Sequence, residues 1–121
     1  MTVLRSSIIA LVACAMVAFG ATAASAASAN APVTITASNW KFAPAEITVH
    51  VGRPVTLALR STEGVHGLAS AALGLAATTI VPGQVRSVTF TPKKIGTYRL
   101  HCTIPCGSGH AKMMLVIRVV A

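Results

Sequence analysis

A chain of 121 residues has room for one domain and no more. Its ten lysines and arginines face only two acidic residues, Glu46 and Glu63, giving a net charge of +8 with neutral histidines. No pair of catalytic carboxylates, no nucleophile set beside a base and no phosphate-cradling loop can be read in it, which argues against an enzyme acting on its own. The basic surplus does not point to nucleic acid either: the charges are spread singly, and one Tyr and one Trp offer little for base stacking.

In chain order, Arg5 is followed by the apolar run "SSIIALVACAMVAFGATAASAASA", which ends in alanine and serine. A short basic start, an apolar middle and an A-x-A exit mark a secretory signal peptide. Residues 1–26 are expected to be removed, with cleavage as late as Ala29 as a variant, so that 30–121 form the mature domain. A retained membrane anchor is disfavoured because the run is short for a ~20-residue span. Lipidation at Cys14, in "LVAC", is disfavoured because the segment stays apolar after it. An exported, periplasmic domain is therefore expected. Without Arg5 it has nine basic residues against two acidic ones, a charge of +7. That charge suits an acidic protein partner or an anionic membrane surface, or serves solubility alone.

The mature part alternates like a β protein. "VTITAS" (33–38), "EITVHV" (46–51) and "VTLALRS" (55–61) place apolar residues at every second position. "TTIVP", "VRSVTFTP", "TYRLHC" and "MLVIRVV" follow, separated by Pro82-Gly83 and by the turn around Gly96. The stretch 68–77, "LASAALGLAA", could form a helical turn but reads as a loop because of its glycine. About seven short strands bounded by Gly and Pro predict an all-β, Greek-key β-sandwich.

Chemistry gathers in "HCTIPCGSGHAKMM" (101–114), with two cysteines, two histidines and two methionines. Alternation along "TYRLHC" puts Tyr98, Leu100 and Cys102 on the inner face, with Arg99 and His101 outside. Cys102, Cys106 and His110 then share a loop at one end of the sandwich, and Met113 is expected to begin the last strand. His66, read as a loop residue after the strand 55–61, can reach the same end. Met114 faces away from Met113, and His50 reads as a solvated strand residue. His101 reads the same way, with electron entry or transient copper capture as its alternative, and Trp40 reads as a core filler, with an electron relay as its alternative. Glu63 reads either as a turn residue or as a carboxylate supporting the cluster.

Thiols, imidazoles and a thioether favour copper or zinc over calcium or magnesium. Zinc would be satisfied by Cys102, Cys106, His66 and His110. Copper also uses Met113, as a weak axial donor. A Cys102–Cys106 disulfide is the third possibility in an oxidising compartment.

The spacing C-x3-C-x3-H-x2-M resembles the binuclear copper A loop of cytochrome c oxidase subunit II. "NWKFAPAEITVHVGRPV", "STEGVH", "VPGQ" and "GTYRLHCTIPCGSGHAKM" extend the likeness over most of the mature chain. The resemblance implies a cupredoxin-like fold and two copper ions held by His66, Cys102, Cys106, His110, Met113 and the backbone carbonyl of Ile104. Ile104 stands where the family usually has a glutamate that also serves a magnesium site. The family's two transmembrane helices have no counterpart beyond the signal-like segment. Nitrous oxide reductase has a similar copper domain, but the chain has no room for its catalytic half.

These features imply a free-standing, monomeric electron carrier that exchanges electrons with a redox protein such as an acidic cytochrome. It would contribute to oxidase activity only if assembled with an oxidase. Two other readings stay open: a one-copper blue electron carrier, and a periplasmic copper delivery or storage protein.

Overall fold

The computed structural model describes Gly20 and residues 31–121. The expected signal peptide and Cys14 lie outside the described residues. Among the described residues nine strands run in chain order: β1 (Val33–Ser38), β2 (Lys41–Ala43), β3 (Glu46–His50), β4 (Val55–Ser61), β5 (His66–Ser70), β6 (Leu75–Ile80), β7 (Arg86–Phe90), β8 (Gly96–His101) and β9 (Met114–Val120). They form an all-β, cupredoxin-like architecture with two more strands than the sequence pattern suggests. One sheet has the order β2-β1-β4-β7, a second has β3-β9-β8, and β5 pairs with β6 in a hairpin. Both sheets are mixed, because β1 runs parallel to β4 and β3 parallel to β9.

Period-two burial explains why these segments are strands. Along β3 the residues alternate exposed and buried, with Ile47 and Val49 inward. β4 buries Val55, Leu57 and Leu59 in the same way, and β9 buries Leu115, Ile117 and Val119. Since successive side chains of a strand point to opposite faces, one register fixes the whole inner set. Ile35, Leu57 and Leu59 of one sheet share a single core with Leu115 and Ile117 of the other, all with no exposure. Phe42 of β2 and Leu68 and Ile80 of the hairpin complete it.

The stretch 68–77 departs from its expected loop. Leu68–Ser70 ends β5, a turn covers 71–74, and Leu75 begins β6. Its one glycine, Gly74, falls in the turn, and Gly67, just before the stretch, lies inside β5 at a point of close contact. His66 is therefore the first residue of a strand, not part of a loop. This hairpin brings β5 against β8, so His66 and the end of β8 share one end of the molecule.

Candidate metal centre

The end of β8 delivers the first sulfur. Leu100 and Cys102 are buried, with exposed Arg99 and His101 between and beside them, as alternation requires. The Cys102 N–H donates to the carbonyl of Met113 at 3.2 Å, closing the base of the loop that joins β8 to β9. Inside that loop His110–Lys112 form a 3-10 turn, and the Met113 N–H donates to the His110 carbonyl at 3.2 Å. Met113 thus precedes β9 instead of beginning it, and its side chain is fully buried. From the other side, the Thr103 N–H donates to the Gly67 carbonyl at 3.1 Å and ties the loop to β5, next to His66.

Six donors of the expected set meet here. Cys102 Sγ lies 3.9 Å from His66 Nδ1 and donates to the Ile104 carbonyl at 3.2 Å. Cys106 Sγ lies 3.4 Å from His110 Nδ1 and 3.8 Å from Met113 Sδ. Each sulfur thus has one imidazole nitrogen and one weaker donor beside it. The donor atoms of His66, Cys102 and Cys106 lie within 4.8 Å of one another. Both thiols are free, so the cysteines are not paired as a disulfide.

The orientation of His66 has a definite cause. Its Nε2 is 2.6 Å from the Glu63 carbonyl. A carbonyl only accepts, so Nε2 carries the proton, and Nδ1 presents a lone pair towards Cys102. Glu63 therefore supports the cluster through its main chain, while its side chain belongs to an exposed residue. Ser61 Oγ holds the same turn by donating to the carbonyls of Glu63 at 3.0 Å and Gly64 at 2.6 Å. His50 and His101 are exposed and lie outside the cluster.

Trp40 is not a core filler. It is 39% exposed, its indole N–H donates to the Cys106 carbonyl at 3.0 Å, and its ring lies across Gly109. A Cβ on Gly109 would stand 2.5 Å from ring atoms of Trp40, so only glycine allows the indole to cover the loop this closely. Gly67 is equally constrained: a Cβ there would collide with Thr103 and reach Ile104 Cγ1 at 2.9 Å. Gly67→Ala is accordingly expected to cost about 1–3 kcal/mol by overpacking. Urea unfolding of the metal-free domain measures this, and wild-type stability would show that the loop yields freely.

Burial pushes the Cys106 thiol up to about 11, helped by its hydrogen bond to Cys102 and by the charge interaction between the two sulfurs. At neutral pH it is protonated, and a metal ion has to displace that proton to bind it as thiolate. Metal uptake is therefore expected to release protons. Titration calorimetry in two buffers of different ionisation enthalpy reads the release, and identical heats in both would remove Cys106 from the donor set.

The donor chemistry fits copper. Two thiols, two imidazoles and a thioether are soft to borderline groups, and hard cations gain little from them. A mixed-sheet β-sandwich with such a cluster between strand ends defines a cupredoxin-like domain. The family model of the cupredoxin-like domain matches residues 7–117, and the chain belongs to that family. Among characterised proteins it is similar to cytochrome c oxidase subunit 2 of Thermus thermophilus, 30% identical over 87 residues. That match covers 72% of this chain and 64% of the relative, so the chain spans under two thirds of that protein's length. Among solved structures, the periplasmic domain of subunit II of cytochrome oxidase of Bradyrhizobium japonicum superposes with a TM-score of 0.68 at 21% identity. The superposition covers 76% of this chain and 85% of that one. Reduced auracyanin of Roseiflexus castenholzii shares the fold with a TM-score of 0.58 at 20% identity, over 74% of this chain and 97% of that one.

Proposed function

We propose that this cupredoxin-like domain is an exported one-electron carrier holding two copper ions between Cys102 and Cys106. The supporting observation is the convergence of two thiols, two imidazole Nδ1 atoms, a thioether and a carbonyl in one half-buried cluster. Two neighbouring sulfurs, each flanked by its own imidazole, make a donor set with enough soft groups to serve two ions. His66, Cys102, Cys106, His110, Met113 and the Ile104 carbonyl would hold them. Bound copper would supply a one-electron couple.

The chain supplies the rest. The Glu63 carbonyl fixes the tautomer and angle of His66, and the closed loop fixes the spacing of the other donors. Buried His66, Cys102 and Met113 keep water from one side of the cluster. Trp40 sits half in solvent with its N–H on the carbonyl of a donor residue, so the indole offers a short route from the surface. The donor set leaves no position for a substrate, which favours electron passage over catalysis by this chain alone. The apolar start of the chain and the periplasmic setting of the Bradyrhizobium relative support export. Among the described residues no helix is long and apolar enough to cross a membrane.

The test is a copper count with an EPR spectrum of the oxidised protein made without residues 1–26. Two ions per chain and one unpaired electron shared by two copper nuclei are expected. One copper with an ordinary blue-copper spectrum would leave the single-thiolate carrier. Rapid loss of Cu(I) to a competing chelator would indicate copper delivery instead.

A further inference from the structure

We propose a second, surface copper(I) site formed by His101 and Met114, outside the loop cluster. The two residues are direct partners in the antiparallel register of β8 and β9. Directly opposed residues project from the same face, with Cβ atoms about 4.5–5.5 Å apart. That face is the outer one, since His101 is exposed and Met114 half-buried, while their chain neighbours Cys102 and Met113 are buried. Each strand end therefore carries one donor inward to the cluster and the adjacent donor outward.

The pair's chemistry selects its ligand. An imidazole and a thioether are neutral, borderline-to-soft donors that suit Cu(I) and offer little to calcium or magnesium. The surroundings keep binding weak. Arg99, two residues before His101 and opposite Val116, puts a positive charge on the same face. The nearest carboxylate in that register, Glu46 opposite Val116, is engaged by Arg118. A weak, exposed site with two protein donors leaves coordination positions free, which a capture point needs in order to accept copper from a donor molecule and release it again.

The site's role, though not its existence, rests on the copper reading of the loop. Cu(I) held by His101 and Met114 would pass to the adjoining residues Cys102 and Met113 by ligand exchange. The oxidation state does not change: the nitrogen and thioether contacts break, contacts to sulfur form inside, and the thiol protons leave to solvent.

The test uses the fully reduced, copper-loaded domain under anaerobic conditions, titrated with silver(I) as a redox-inert substitute for copper(I). The Met114 methyl and the His101 ring are expected to shift together in NMR spectra. His101→Ala and Met114→Leu should each weaken silver binding by about tenfold or more. Met114→Leu conserves volume and keeps the strand, so it guards against simple misfolding. Absence of any shift, or an unchanged His101 response in Met114→Leu, overturns the proposal. In a second arm, the metal-free protein is loaded from a copper(I) chelate. Both variants should fill more slowly and reach the same final copper content. Wild-type filling rates in both variants would overturn the capture role. A loop that takes up no copper, with the paired silver shifts intact in unloaded protein, would instead fail the carrier reading and leave the surface site standing.

Discussion

Cys102→Ser or Cys106→Ser is expected to abolish the paired copper site, with affinity for the second ion falling by more than ~100-fold. That figure is the upper end of what loss of an outer-shell partner alone costs, and these sulfurs are the donors themselves. The physical reason is ionisation and softness together. A thiol becomes a thiolate when a metal displaces its proton, whereas a serine hydroxyl is a hard group that does not ionise near neutral pH. Position adds to this, because the two sulfurs belong to one cluster with His66 and within 4.8 Å of its ligating atom. An oxygen at either position leaves a single sulfur between two sets of terminal donors. The hydroxyl of Cys102→Ser can still donate to the Ile104 carbonyl, as the thiol does at 3.2 Å, so the copper-free fold should survive. Met113→Leu is the contrasting case: a thioether 3.8 Å from Cys106 Sγ is a weak donor, and its loss should keep copper while shifting the reduction potential. Metal analysis and EPR of the three variants decide the matter. If both serine variants kept two coppers with unchanged spectra, the loop would not be the site.

Much of this arrangement is legible in the sequence, and the parts that are not have physical causes. β4 and β9 follow the alternating pattern to the residue, because each buries one face against the core, while β1 alternates up to Ala37 and then buries Ser38 as well. β5 gives no such signal: His66, Gly67 and Leu68 are all buried, so the strand does not alternate, and only its pairing with β6 and its contact with the loop define it. β2 is three residues long, too short for a period to show. The cluster is legible where donors are close in sequence, since Cys102, Cys106, His110 and Met113 lie in one loop. His66 comes from a different strand, so the sequence points to it only through its place just after the strand 55–61 and through the family resemblance. The Glu63 carbonyl on His66 and the Trp40 N–H on the Cys106 carbonyl involve main-chain atoms. Such contacts ask for no particular residue type at the accepting position, so composition and spacing carry no trace of them.

Electron exchange with an acidic redox partner is expected to be faster than with a basic one, by about 10-fold to 10³-fold at low salt. Exposed Lys41 follows Trp40 directly, and exposed Lys112 lies in the 3-10 turn beside His110. Exposed Arg60, at the end of β4, precedes the turn that carries Glu63. Of the two carboxylates, Glu46 is engaged by Arg118, which leaves Glu63 as the only acidic group beside the cluster. A positive rim around a half-exposed indole attracts a negative surface and orients it before contact. A basic partner meets the opposite field. With a Debye length of ~8 Å at physiological ionic strength, the advantage should shrink as salt rises, because the charges involved are exposed. Lys41→Glu and Lys112→Glu together should slow the acidic partner and speed the basic one, leaving the copper spectrum unchanged. Stopped-flow reduction by one acidic and one basic cytochrome across a salt series measures all of this. Faster reaction with the basic cytochrome at low salt would sink the steering idea, and a flat salt response with both would assign the charge to solubility alone.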